Sequence, residues 1–112
     1  MEVLDYKEER FRIIRVIGRI DTTTSDDFLS KVTVLINDEN AVAMDFSELN
    51  YISSAGLRAV LSIAKEMNKR NGSFVIYSMG NAIRDIFDMA GFSSIINIAN
   101  DKEEAVRIIE NK

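Results

Sequence analysis

AVAMDFSELNYISSAGLRAV, residues 41 to 60, decides how the rest of the chain is read. Ala41 to Phe46 is a short, almost wholly apolar run, the composition of a strand covered on both faces. A polar stretch leads to Ser53 and Ser54. Behind them Ala55-Gly56-Leu57 opens a helix predicted from about Ala55 to Arg70. Leu57, Val60, Leu61, Ala64 and Met67 recur at helical spacing and mark its inward stripe, and Asn71-Gly72 supplies the C-terminal stop. A buried strand feeding a helix is the repeating unit of an α/β protein.

The same alternation extends in both directions. Residues 2–7 and 11–17 predict two strands around the polar turn Glu8-Glu9-Arg10, a hairpin, after which Gly18 breaks the pattern. Thr22, Thr23, Thr24 and Ser25 offer N-caps for a helix carrying Phe28, Leu29, Val32, Leu35 and Ile36. Beyond the central helix, Ser73 to Met79 predicts a strand. Asn81 then caps a helix with Ile83, Ile86, Phe87 and Ala90, stopped by Gly91. Ser94 to Ile98 predicts a last short strand. Asp101 with Glu104 forms a capping box for a closing helix that turns Val106 and Ile109 inward. The predicted order is β-β-α-β-α-β-α-β-α. It implies one mixed, largely parallel sheet of four to five strands, with an N-terminal hairpin and about four helices. Residues 1–112 are expected to form a single domain.

Composition excludes several functions. The formal charge is −4 and the 14 Lys and Arg residues are scattered, so no nucleic-acid-binding face is expected. No run of about 18 apolar residues occurs, so no membrane span is expected. The charged N-terminus lacks the apolar stretch of a secretory signal, which points to the cytoplasm. With neither cysteine nor histidine, the chain has no thiolate nucleophile and none of the commonest metal ligand or general base. No Ser-His-Asp triad is possible within it.

Ser53 and Ser54 therefore have three readings. One of them caps the helix, satisfying an orphan amide of the first turn. A nucleophilic serine is disfavoured, because a nucleophile elbow needs glycine two residues before the serine and Ile52 stands there. Neither Ser53 nor Ser54 heads a Ser-x-x-Lys pattern that could replace the missing histidine. Phosphate is the third reading: the positive end of a helix favours an anion, although neither a P-loop nor a GxGxxG is present. Asp45, near the end of a central strand, invites comparison with receiver-domain phosphoacceptors. Those domains also need an acidic pair after their first strand and a lysine after their fifth, and both are lacking. Asp45 is expected instead to hydrogen-bond the loop backbone or the start of the helix.

Gly18-Arg19-Ile20-Asp21, the run from Asp45 through Leu57, and Phe87-Asp88-Met89-Ala90-Gly91-Phe92 together resemble the anti-sigma-factor antagonists of the STAS domain family. The resemblance runs essentially end to end. It implies a STAS fold and a regulatory protein that is not an enzyme and needs no cofactor. The implied partner is an anti-sigma factor acting as an ATP-using serine kinase, with a phosphoserine phosphatase to reset the switch. In the family a serine at the head of the second helix is modified within Asp-Ser-Ser/Thr-Gly-Leu. Anchored on Gly56-Leu57, that serine is Ser54, and Ser53 stands in place of the aspartate. The implied partner-binding residues are Asp21, Thr22, Thr23, Ser53, Ser54, Ala55, Gly56, Leu57 and Arg58. A monomer or weak dimer is expected. Rival expectations are a scaffold subunit of a larger STAS assembly and a small nucleotide-binding module.

Overall fold

The computed structural model of the protein describes residues 1–111. Its elements are β1 (Glu2–Lys7), β2 (Arg12–Ile20), α1 (Ser25–Ile36), β3 (Ala41–Asp45), β4 (Leu49–Ile52) and α2 (Ser54–Lys69). They continue with β5 (Ser73–Tyr77), α3 (Asn81–Met89), a 3-10 turn at Phe92–Ser94, β6 (Asn97–Ala99) and α4 (Lys102–Glu110). The sheet runs β1-β2-β3-β5-β6, with β4 also paired to β2. Only β1 is antiparallel to its neighbour, so the mixed, largely parallel sheet with its opening hairpin is as the sequence implies.

β3 and β5 are buried along their whole length, as an apolar strand between two helical layers must be. One face carries Val42, Met44, Phe74 and Ile76 into the main core, where Phe28 and Val32 of α1, Val60 and Ile63 of α2 and Phe87 of α3 meet them. Phe87 packs edge-on between Phe46 at 6.2 Å and Phe92 at 5.9 Å, a favourable geometry for ring quadrupoles. The other face carries Ala43, Val75 and Tyr77 against Ala105 and Ile109 of α4.

The sheet has six strands, not four to five. The additional strand is β4, and the reason lies at Gly18. β2 does not end there. Its glycine adopts φ +100°, open to glycine but strained for other residues, and the ladder slips between Gly18 and Arg19. β2 pairs with β3 from Arg12 to Arg15 and with β4 from Gly18 to Ile20, the slip falling within the second ladder. Three further boundaries differ. β5 stops at Tyr77, because Ser78 turns into the left-handed region at φ 60°. The strand expected at Ser94 to Ile98 is Asn97–Ala99, since left-handed Gly91 starts a tight 3-10 turn through Ser94. Gly80, not Asn81, occupies the N-cap position of α3.

The inward stripe of α2 is also rotated from the expected one. Gly56, Ala59, Val60, Ile63 and Met67 are buried, while Leu57 and Ala64 sit half-buried on its flank. Counting large apolar residues misses this because the most closely packed position has no side chain.

Candidate functional site

At the carboxyl ends of β2 and β4 two chain segments leave the sheet side by side. Arg19 lies opposite Tyr51 and Ile20 opposite Ile52, and the Ser53 N–H donates to the Ile20 carbonyl at 2.9 Å. From there β2 runs into the Asp21 loop ahead of α1, while β4 runs directly into α2. Gly56 brings the two together. A Cβ on it would lie 2.8 Å from the Ile20 carbonyl oxygen, 2.8 Å from Ile52 Cγ1 and 2.9 Å from Ile20 Cγ2. Only glycine lets the first turn of α2 rest on β2.

The two serines divide the work the sequence left open between them. Ser53 is the N-cap, extended at φ −91°, ψ 174°, and its Oγ accepts from the Gly56 N–H at 3.1 Å. Its carbonyl oxygen accepts from the Leu57 N–H at 2.9 Å, the first bond of the helix. Ser54 is the first helical residue, exposed, and its hydroxyl has no hydrogen-bond partner among the described residues. Capping is thus complete without Ser54. Its hydroxyl stands at the positive end of a 16-residue helix whose first turn contains no acidic residue.

The neighbouring loop is held by Asp21. Its Oδ1 accepts from the Thr23 N–H at 3.0 Å, the Thr23 hydroxyl at 2.8 Å and the Thr24 N–H at 3.1 Å. The Thr23 hydroxyl is the chief cause that keeps this carboxyl below the usual carboxylate range, opposed in part by desolvation. The Asp21 N–H donates to Thr24 Oγ1 at 2.9 Å, and its carbonyl oxygen accepts from the Ser25 N–H at 2.9 Å. Thr24 occupies the N-cap position of α1 without a side-chain capping bond. Asp21, rather than any of the threonines or Ser25, organises the start of that helix.

The implied residues separate by exposure. Thr22, Thr23, Ser54 and Arg58 are exposed; Asp21, Ser53, Ala55 and Leu57 are half-buried; Gly56 is buried. Leu57 packs against the core, so it and Gly56 support the surface from beneath. Two residues that sequence reasoning left outside the site belong to this surface. The Arg19 guanidinium lies 4.4 Å from the centre of the Tyr51 ring, and its Nε is 3.6 Å from Asp21 Oδ2. Reading Leu49–Ile52 as a strand parallel to β2 would have set Arg19 beside Tyr51. Asp45 stands behind the site and holds the loop backbone as expected: it accepts from the Ser47 N–H at 2.8 Å and from Arg15 Nε at 3.1 Å. Beside it, burial and then the Asp45 charge push the Tyr77 hydroxyl up to about 12.

Among the described residues no cluster of acidic side chains is placed to hold a metal ion, and no helix is long and apolar enough to cross a membrane.

Known proteins resemble this chain along almost its whole length. The profile of the STAS domain family matches residues 3–105. BtrV of Bordetella bronchiseptica, named as a candidate anti-sigma factor antagonist, is 42% identical over 89 residues, covering 79% of this chain and 77% of that protein. The crystal structure of an anti-sigma factor antagonist from Mycobacterium paratuberculosis superposes with a TM-score of 0.89 at 19% identity, covering 97% of this chain and 93% of that one. The Bacillus cell fate determinant SpoIIAA, solved in its phosphorylated form, superposes at 0.70 with 17% identity, covering 96% and 99%.

Proposed function

The chain belongs to the STAS domain family, and from that premise we propose that it is an anti-sigma factor antagonist switched by phosphorylation of Ser54. In its unphosphorylated form it binds a kinase-type anti-sigma factor and so frees the sigma factor for transcription. The docking surface is the exposed part of the site, Thr22, Thr23, Ser54 and Arg58, together with half-buried Asp21, bordered by Arg19 and Tyr51. The observation that carries this reading is the split between the serines. Ser53 caps α2, so the Ser54 hydroxyl is left exposed and unbonded at the helix head.

In the transfer step Ser54 Oγ attacks the γ-phosphorus of an ATP bound to the partner. The bond to the bridging β,γ-oxygen breaks, ADP leaves, and the serine proton passes to a base on the partner. This chain holds the hydroxyl in place; nucleotide and Mg²⁺ belong to the kinase. The product carries a charge of about −1.5 to −2 at the centre of the docking surface. A charge buried in an interface with no matching group on the partner costs roughly 3–5 kcal/mol, on the order of 100- to 3,000-fold in affinity. The fold survives, because the helix dipole favours an anion at this position.

Substitutions at the two serines test the reading, using partner kinase, ATP and mass-spectrometric mapping of the phosphosite. Ser54→Ala is expected to bind the partner and refuse phosphate. Ser54→Asp should melt within a few degrees of the native protein yet lose most of its affinity by calorimetry. Ser53→Ala should lose about 1 kcal/mol of capping and still accept phosphate. A Ser54→Ala protein phosphorylated with normal stoichiometry would overturn the proposal.

A further inference from the structure

Arg58 is an exposed cation one helical turn beyond Ser54. The residues three and four positions away on its own helix are Ser54, Ala55, Leu61 and Ser62, and none is acidic. Its guanidinium takes part in none of the ion pairs or hydrogen bonds among the described residues; Ser62 Oγ donates only to its backbone carbonyl, at 3.1 Å. Three helical acid–base pairs at this spacing close among the described residues: Asp27 with Lys31 at 3.0 Å, Arg84 with Asp88 at 3.3 Å, and Glu103 with Arg107 at 3.1 Å. In the first and last of these the acid precedes the base, the orientation helices favour. Ser54 and Arg58 reproduce that order and spacing with a serine where the acid would stand. Moreover, Arg58 is the fifth residue of α2, near the positive end, where a cation gains nothing from the dipole.

We propose that phosphorylation completes the pair: the phosphate on Ser54 is held by the Arg58 guanidinium in an i,i+4 latch across the first turn of α2. The inference rests on the reading of Ser54 as the modified residue. A guanidinium offers two parallel N–H donors to phosphate oxygens, a better match than an ammonium. Phosphorylation then changes the docking surface twice, adding an anion at position 54 and folding back the cation at 58. The latch also resists the phosphatase, which must pull the phosphate away from Arg58 to hydrolyse it.

Phosphoserine installed at position 54 by genetic encoding tests the latch without any kinase. The readout is the second ionisation of the phosphate, followed by phosphorus NMR against pH; that pKa is ordinarily about 6. A cation beside the phosphate favours the dianion, so the pKa should lie lower with Arg58 than in Arg58→Gln, by about half a unit at low salt. Arg58→Lys should restore part of the difference. In about 1 M NaCl, where screening acts within about 3 Å, the difference should shrink. Identical titrations of the Arg58 and Arg58→Gln proteins at low salt would overturn the latch. Failure of the partner kinase to modify Ser54 would instead overturn the proposed function, and the titration of the installed phosphoserine would stand on its own.

Discussion

A single methyl group at Gly56 sets two effects against each other. In an exposed helix interior, Gly→Ala gains about 1 kcal/mol of helix propensity. Here the new Cβ would sit 2.8 Å from the Ile20 carbonyl oxygen, a backbone atom that no rotamer change can move aside. Forcing a group into such a contact costs roughly 1–3 kcal/mol, and the helix head must lift from β2 to relieve it. Gly56→Ala is therefore expected to lower stability in urea unfolding and to slow phosphorylation of Ser54, whose position depends on that contact. A more stable Gly56→Ala protein would mean that the close approach does not position the site.

Among the elements, the α1–α2 pair shows how one helix completes another. α1 has no basic residue in its last turn. Its orphan carbonyls are met by Arg70 at the end of α2, which donates through Nη1 to the Asn37 carbonyl and through Nη2 to the Ile36 carbonyl, each at 2.7 Å. Hydrogen bonds from a charged donor contribute roughly 1.5–3 kcal/mol, so Arg70→Ala should lower the unfolding free energy by about that amount. Arg70→Lys keeps the charge but cannot span both carbonyls, and should recover less than half. The clamp lies about 24 Å along α2 from Ser54, given about 1.5 Å per residue. Phosphorylation of the folded Arg70→Ala protein should proceed at the native rate, which a kinase assay at low temperature checks.

For the molecule as a whole, the amino-terminal hairpin is fastened to the α1–β3 connection by Glu39. This buried carboxylate accepts from Lys7 of β1 and, at 3.0 Å, from Arg12 of β2. Burial pushes its pKa up, but the bonds from Lys7 and Arg12 outweigh it and the net shift is downward. A group whose folded pKa is depressed stabilises the fold above its unfolded value and loses that contribution as pH falls through the folded value. With an ordinary glutamate value of about 4.3, the loss falls below about pH 4. Glu39→Gln should be less stable than the native protein by about 1–2 kcal/mol at pH 7, since Lys7 is half in solvent and its share is screened. Denaturant titrations at pH 7 and pH 3 should show that gap closing in acid. A gap independent of pH would assign the loss to packing instead of charge.

Most elements were legible locally, because strand and helix write periods of about 2 and 3.6 into neighbouring residues. The hairpin, a buried strand within the apolar run Ala41 to Phe46, the four helices and the Asp101 cap with Glu104 are all present, with some boundaries and caps shifted. The serine pair, too, was visible as the turn from strand to helix. Tertiary structure alone decided which of the two caps α2, that Leu49–Ile52 is a strand, and that Arg19 stacks on Tyr51. β4 has four residues and only its ends are buried, too little to show alternation. Its pairing starts at the left-handed Gly18, where β2 has passed from β3 to β4, a contact with residues about thirty positions away that no local pattern records. The face of α2 and the identity of its cap depend in turn on the Ile20 carbonyl, met by the Ser53 N–H and closely approached by Gly56. A periodic pattern records which residues share a face, but not which distant backbone that face will touch.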